Sequence, residues 1–367
     1  MEREIFSKVK KIVVKIGTSV LTVKGCAIEP SRIEKIASSV NSLLEKNIDT
    51  CLVSSGAISA GMTLLSLKER PRSLPRLQAA AAVGQRRLMD LYADAFAKLG
   101  RQVAQILLTK EDLKDRRRYL NARNTIGALL KEKVIPIINE NDTVTVDEIK
   151  FGDNDQLSAL VASLIDADLL IMLSDVNGLY DGNKLIKTVD EISSDVEALA
   201  SGTNKESCVG GMVTKLEAAK IVRHAGIPCI IANGRRDSIL ESIINGEDIG
   251  TLFLPHRRKM DSRKQWMAFN LKPQGKVYLD KGAVEALLKG GRSLLAAGIV
   301  HAEGKFKEAD MVSIVDAGTK KEIGRGITNY SRQEIDEIKG LKTAEIKKVT
   351  GTRYYEEVIH RDNLVLM

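Results

Sequence analysis

The sequence predicts an α/β protein, a parallel sheet sandwiched between helical layers, followed by a second, smaller β-rich domain. Three observations carry this. From Lys11 to Leu254 short apolar runs alternate with stretches of helical period, and repeated β-α units of this kind build a parallel sheet covered on both faces. After Leu254 the segments shorten and glycine punctuates them, the pattern of a small, strongly curved β-domain. The chain has 367 residues, 44% of them hydrophobic, which suggests two domains and a sizeable core.

The first buried strand is KIVVKI, Lys11–Ile16. Ser31, with Glu34 three residues on, reads as a capping box opening a helix whose Ile33, Ile36, Ala37, Val40, Leu43 and Leu44 share one face. Cys51–Val53 is a short strand, and Leu74–Leu99 is rich in helix. Val103–Leu108, Val134–Ile138, Leu169–Leu173 and Cys229–Ala232 are further strands, separated by helices that include Asn121–Glu132, Gln156–Ile165 and Met212–His224. His256–Lys264 is dense in basic residues and reads as a connector. Beyond it, KVYLD, GIVHAEG, MVSIVD and EIGRGITNY surround one helix, Ala283–Lys289, and the charged stretch Gln333–Lys348 reads as a surface helix or a mobile end. The expected division is 1–255 for the α/β domain, 256–271 for a basic linker, 272–350 for the β-rich domain and 351–367 for a C-terminal tail.

Composition narrows the function classes. A net charge of +8 and a pI near 9.1 permit an anionic partner, nucleic acid or a phosphorylated ligand, without choosing between them. Aromatic residues are only 4%, too few to suggest a stacking platform for single-stranded nucleic acid. MEREIFSKVK has no apolar core of a signal peptide and no run approaches a membrane span, so a cytoplasmic protein without a membrane partner is expected. Cys26, Cys51, Cys208 and Cys229 form no CxxC pair and read as reduced thiols. His224, His256, His301 and His360 are scattered, and no metal-ligating cluster is expected.

In a parallel sheet, ligands bind at the carboxyl ends of the strands, and the unusual motifs sit there. Lys15 closes the first strand beside Gly17, whose missing Cβ lets a ligand reach the backbone; a phosphate suits a lysine beside free N–H groups. The plainer role is a lysine snorkelling from a strand end. SSGAISAG (Ser54–Gly61) is either a tight strand-to-helix turn or an anion cradle. NEND (Asn139–Asp142) and GDND (Gly152–Asp155) are turn-formers singly, but two such clusters at neighbouring sheet edges favour a site. There Asp142 suits a substrate ammonium and Asn154 a carboxylate. Asp155 suits pairing with lysines, with helix capping as its rival role. SDVNGLYDG holds a turn signal and would aim Ser174 and Asp175 at a nucleotide. GGMVTK puts backbone donors at a helix start and Lys215 one turn in. The chain contains neither GxxxxGK[ST] nor GxGxxG, so neither a Walker A loop nor a Rossmann dinucleotide site is expected.

KIGTSVL, VSSGAISAGM, LQAAAAVGQRRLM, YLNARNT, VIPIINENDTV, FGDNDQLSALVA, SDVNGLY and GGMVTKLEAAK together resemble the glutamate 5-kinases, enzymes of amino acid kinase fold, in content and order. The C-terminal segment is similar to a PUA domain. The resemblance covers nearly the whole chain and implies phosphorylation of the side-chain carboxylate of L-glutamate by ATP and Mg²⁺, the first step of proline biosynthesis. It implies that Lys15, Asp155 and Lys215 form the catalytic set and that Ser55, Gly56, Asp142 and Asn154 bind glutamate. For ATP it implies Lys15, Gly17, Ser174 and Asp175, with the loop Val209, Gly210, Gly211, Met212, Val213, Thr214 and Lys215. The family's loop commonly opens on a hydroxyl or small residue where this chain has Val209. The resemblance further implies feedback inhibition by proline and a homo-oligomer, a dimer or tetramer.

The chemistry agrees with that expectation. A glutamate side chain titrates near pH ~4.3 and is already ionised at neutral pH, so no general base is needed. The obstacle is repulsion between two anions, which two lysines and a metal ion offset. Two rival readings remain. One is another amino acid kinase with acetylglutamate or aspartate as acceptor; Asp142 argues against acetylglutamate, because acetylation removes the ammonium. The other is RNA binding or modification through the PUA-like end, for which the basic connector is the weak signal, being more often a solvated linker.

Overall fold

The computed structural model describes residues 2–23, 27–144, 153–201, 211–256, 271–342, 345–346 and 355–366. Two compact units divide the chain, Met1–Lys259 and Met260–Met367. Most of the expected linker, residues 257–270, lies outside the described residues, as do Cys26 and Cys208.

The first unit opens with β1 (Lys11–Ile16), α1 (Thr18–Leu21), α2 (Pro30–Glu45) and β2 (Asp49–Ser54). Next come α3 (Ala57–Leu64), α4 (Leu74–Ala97), β3 (Val103–Leu108), α5 (Lys110–Lys114), α6 (Arg116–Lys131) and β4 (Ile135–Glu140). Then follow α7 (Asp153–Leu164), β5 (Leu169–Ser174), β6 (Tyr180–Asp181), β7 (Lys184–Leu185), β8 (Thr188–Val189) and α8 (Ser194–Ser201). The unit closes with α9 (Met212–His224), β9 (Cys229–Asn233), α10 (Ile239–Ile244) and β10 (Thr251–Phe253). Eight strands form one sheet in the order β3-β4-β2-β1-β5-β9-β10-β8. Every pairing in it is parallel except β9 with β10. β1 lies at the centre between β2 and β5. The chain fills one side of it first, through β2, β4 and β3, and the other side later, through β5 and β9. The boundary between β1 and β5 is therefore a topological switch point, where ligands bind in open α/β sheets.

Residue spacing explains the layers. Successive side chains of a strand point to opposite faces, and Ile12, Val14 and Ile16 enter a core shared with Ile33, Val40 and Leu43 of α2, Leu88 and Tyr92 of α4 and Leu240 of α10. Val13 and Lys15 take the other face, where α7 and α9 pack side by side. The expected capping box at Ser31 is not formed. Pro30 takes the first helical position, where its missing N–H is no loss, Glu29 becomes the N-cap, and the Ser31 hydroxyl donates to Glu29 Oε1 at 2.8 Å. β4 runs two residues further than the apolar run suggests, so Asn139 and Glu140 belong to the strand end.

Two glycines set the distance between α3 and α4. A Cβ on Gly61 would lie 1.8 Å from the Ala80 carbonyl oxygen, and one on Gly84 would lie 1.8 Å from that of Ala57. Only glycine permits this backbone-to-backbone contact, and it carries α4 against the loop that follows β2.

The second unit is a five-stranded sheet built from β11 (Gly275–Leu279), β12 (Ile299–Gly304), β13 (Met311–Asp316), β14 (Glu322–Ile327) and β15 (Leu364–Leu366), in the order β12-β11-β13-β14-β15. Helix α11 (Lys281–Gly290) is capped by Asp280, whose carboxylate accepts from the Ala283 N–H at 2.7 Å. Helix α12 (Arg332–Ile338) forms a capping box from Ser331 and Glu334. Its Ile335 and Ile338 are buried in the core with Val277, Leu279, Leu287 and Ile314, so this part of the charged stretch is anchored rather than loose. Residues 364–366, expected within a tail, form the edge strand beside β14.

Candidate functional site

Lys15 emerges from the middle of the sheet under the two helices that answer its charge. Its ammonium lies 2.7 Å from Asp155 Oδ1, near the start of α7, and the Lys215 ammonium from α9 lies 3.3 Å from Asp155 Oδ2. The Thr214 hydroxyl donates to the same Oδ2 at 2.7 Å. Asp155 is 0% exposed, Lys15 6% and Lys215 7%. One buried carboxylate thus holds two buried ammonium groups together, so this group of three carries one more positive than negative charge. Asp155 answers the lysines and Thr214, the first of its two expected roles. Burial raises its pKa, yet the Lys15 and Lys215 charges outweigh burial and hold it below the usual carboxylate value. Burial lowers the Lys15 pKa, with Asp155 opposing and Lys215 adding to the drop.

Gly17 opens the mouth of β1. Its N–H donates to the Leu173 carbonyl at 3.1 Å, and a Cβ there would stand 3.5 Å from the Lys15 ammonium. Across the switch point, β5 ends in buried Ser174, whose hydroxyl donates to Asp175 Oδ1 at 3.2 Å. Asp175 is exposed. Burial raises its pKa, but its own backbone N–H, the Ser174 and Ser19 hydroxyls and the Lys215 charge bring it below the usual value. Gly211 is the N-cap of α9, and Met212, exposed Val213 and Thr214 follow in its first turn. Val209 and Gly210 lie outside the described residues.

The loop after β9 ties these pieces together and was not among the expected motifs. The Gly234 N–H donates to the Ser174 carbonyl at 2.8 Å, Asn233 Nδ2 donates to Asn177 Oδ1 at 2.9 Å, and the Arg235 guanidinium donates to the Ser19 carbonyl at 2.9 Å. The signal for it was present, an Asn-Gly pair directly after an apolar strand.

The remaining residues form an amide-rich wall next to the lysines. The Ser55 N–H donates to the Ile16 carbonyl at 3.0 Å, fixing this loop to the end of β1. Gly56 has φ +111°, a left-handed conformation that favours glycine, and caps α3. Asn154 Nδ2 donates to Asn139 Oδ1 at 2.9 Å and to Ser55 Oγ at 3.1 Å. Its Oδ1 is buried and receives no hydrogen bond. Asn154, expected to hydrogen-bond a carboxylate, has its donors engaged by protein groups here and an acceptor oxygen left over. Asp142 stands in the turn after β4 and lines a cavity of about 440 Å³ with Gln85, Arg86, Glu140 and Asn141. Among the described residues, no group of three or more His, Cys, Asp or Glu is arranged to hold a metal ion, and no helix is long and apolar enough to cross a membrane.

Two buried lysines joined by one carboxylate at the switch point, flanked by an amide-rich wall, point to a class. Residues 10–233 match the amino acid kinase family and residues 275–350 match the PUA domain. The chain belongs to the amino acid kinase family and carries a C-terminal PUA domain. Its relatives include the glutamate 5-kinase of Thermoanaerobacter sp. (strain X514), 50% identical over 364 residues that cover 97% of this chain and 98% of the relative. The glutamate 5-kinase of Geobacter sp. (strain M21) is 46% identical over the full length of both chains. Among solved structures, carbamate kinase from Giardia lamblia bound to AMP-PNP superposes with a TM-score of 0.50 at 16% identity, covering 68% of this chain and 99% of that one. That likeness shows the fold alone.

Proposed function

We propose that this protein transfers the γ-phosphoryl group of ATP to the side-chain carboxylate of L-glutamate, giving L-glutamyl 5-phosphate and ADP, the opening step of proline biosynthesis. The observation that carries the reading is the meeting of Lys15 and Lys215 on one buried carboxylate at the switch point. The relatives at 46–50% identity over nearly the whole chain support glutamate as the acceptor.

The geometry of the lysine pair and the family resemblance together support the following division of labour. Lys15 and Lys215 take the phosphate oxygens, and Asp155 holds both ammonium groups in place before the nucleotide arrives. A glutamate side-chain oxygen forms the new bond to the γ-phosphorus while the bond to the bridging oxygen of ADP breaks. Charge accumulates on the phosphoryl oxygens in that transition state, where fixed cations in a dry site act most strongly. Gly211 leaves its backbone accessible to the phosphates, Gly17 keeps the space beside the Lys15 ammonium clear of a Cβ, Ser174 and Asp175 face the nucleotide, and Ser55, Gly56, Asp142 and Asn154 hold glutamate. Among the described residues no carboxylate cluster is arranged for a metal, and a Mg²⁺ bound with ATP would be held chiefly by the phosphates beside Lys15 and Lys215. When bound, that ion neutralises phosphate charge. We assign this chemistry to residues 1–255, with the PUA domain outside the reaction, and expect a homo-oligomer inhibited by proline.

The test is glutamate-dependent ADP release, with the acyl phosphate trapped as hydroxamate, measured with and without proline. Turnover with glutamate well above that with N-acetylglutamate or aspartate is expected. A preference for either of those acceptors would overturn the reading.

A further inference from the structure

An ordered line of amides runs from α4 to the acceptor side of the site. Asn154 Nδ2 donates to Asn139 Oδ1 at 2.9 Å, and Asn139 Nδ2 donates to Gln85 Oε1 at 2.8 Å. The Glu140 N–H also donates to Asn139 Oδ1, at 2.9 Å. Asn139 is 2% exposed. Every amide in the line therefore points the same way, and neither asparagine can turn over without setting two N–H₂ groups, or two carbonyl oxygens, against each other. At the Asn154 end the line stops on a buried carbonyl oxygen with no donor. A buried acceptor left open is costly, and a donor carried by a ligand would complete it.

We propose that Gln85 is a positioning residue for the acceptor: by engaging Asn139 it holds the Asn154 carbonyl oxygen toward the ammonium group of the bound amino acid. Nothing in the resemblance or the relatives' names assigns this residue a role. The α3–α4 glycine contact explains its reach, because Gly84 brings the α4 backbone against α3 one residue before Gln85. The proposal rests on glutamate being the acceptor, and it identifies what the line recognises, an N–H donor on the α-carbon rather than the reacting carboxylate.

The test compares Gln85→Leu with the unaltered chain, using glutamate as substrate and glutarate, which lacks the ammonium, as a competitive inhibitor. Loss of one buried hydrogen bond predicts a rise in glutamate KM of about fivefold to tenfold. Glutarate Ki and ATP KM should stay within about twofold, since neither ligand reports on the amide line. Gln85→Glu keeps an acceptor oxygen for Asn139 and should hold glutamate KM near the original value, so it serves if Gln85→Leu fails to fold. The proposal is overturned if glutamate KM does not change in Gln85→Leu, if glutarate weakens in parallel, or if Gln85→Glu is as impaired as Gln85→Leu. An unaltered chain without glutamate turnover would instead overturn the acceptor assignment, and the amide line with it.

Discussion

Replacing Asp155 by Asn tests the site through stability, without relying on catalysis. Asn keeps the shape and removes the one negative charge between two lysines that are each less than a tenth exposed. At separations of 2.7 and 3.3 Å, each ion pair contributes about 5–6 kcal/mol at an effective dielectric near ~20. Most of that is offset by the desolvation of three charged groups. Breaking a buried pair by removing one partner destabilises by about 3–5 kcal/mol. In a unit the size of Met1–Lys259, each kcal/mol shifts the melting temperature by about 2–4 °C, so Asp155→Asn should melt about 6–20 °C lower. Adding ATP should then restore more of the loss than it adds to the unaltered protein, because the triphosphate supplies the missing negative charge. Thermal unfolding with and without ATP reads both quantities. A melting temperature within about 1 °C of the unaltered protein, or an equal gain from ATP in the two proteins, would refute the reasoning.

Four further outcomes follow, three from the same contacts and one from the α3–α4 packing. Lys15→Ala and Lys215→Ala should each lower turnover by about 100-fold or more, the scale for lost electrostatic stabilisers; a folded variant with near-normal turnover contradicts its assignment. Because the Lys15 pKa is below its ordinary 10.5, its charge is lost as pH rises through that lowered value, so ATP KM should climb in alkaline solution before a surface lysine would titrate, and Lys15→Arg should flatten this limb. Asp155, with its pKa depressed, stabilises fully above the unfolded carboxylate value of about 3.9 and loses that contribution as pH falls through the folded value. Acid titration followed by circular dichroism should therefore show a transition whose midpoint shifts in Asp155→Asn. Gly61→Ala would place a Cβ 1.8 Å from a backbone oxygen and should cost about 2–3 kcal/mol in urea unfolding, the range for overpacking; an unchanged midpoint would mean that the helices can separate freely.

The central strands were legible because β1, β2, β4, β5 and β9 are buried on both faces and read as nearly unbroken apolar runs. Lys11–Ile16 was recovered to the residue, and Lys15 signalled its own importance as a cation flanked on both sides by buried apolar residues. Three-residue β10 was missed, since Thr251–Phe253 is too short for a period to show. Caps were misread where two rules compete: Ser31 with Glu34 has the form of a capping box, yet Pro30 starts the helix one position earlier. The pairing of Lys15 with Lys215 was inferred from loops at one sheet edge. The carboxylate that joins them had helix capping as a rival role, because sequence spacing does not show that residues 15, 155 and 215 share a point. Gln85 and Arg235 were hidden for the same reason. Each acts through one hydrogen bond partner far along the chain, Asn139 or Ser19, and no local pattern marks such a residue.

The most direct measurement is a crystal structure of the protein with glutamate and a non-hydrolysable ATP analogue. The account predicts both the Lys15 and Lys215 ammonium groups within about 3.2 Å of phosphate oxygens, with the glutamate side-chain carboxylate facing the γ-phosphate and its ammonium toward Asp142 and the Asn154 carbonyl oxygen. A nucleotide seated elsewhere, or a triphosphate touched by only one of the two lysines, would contradict it.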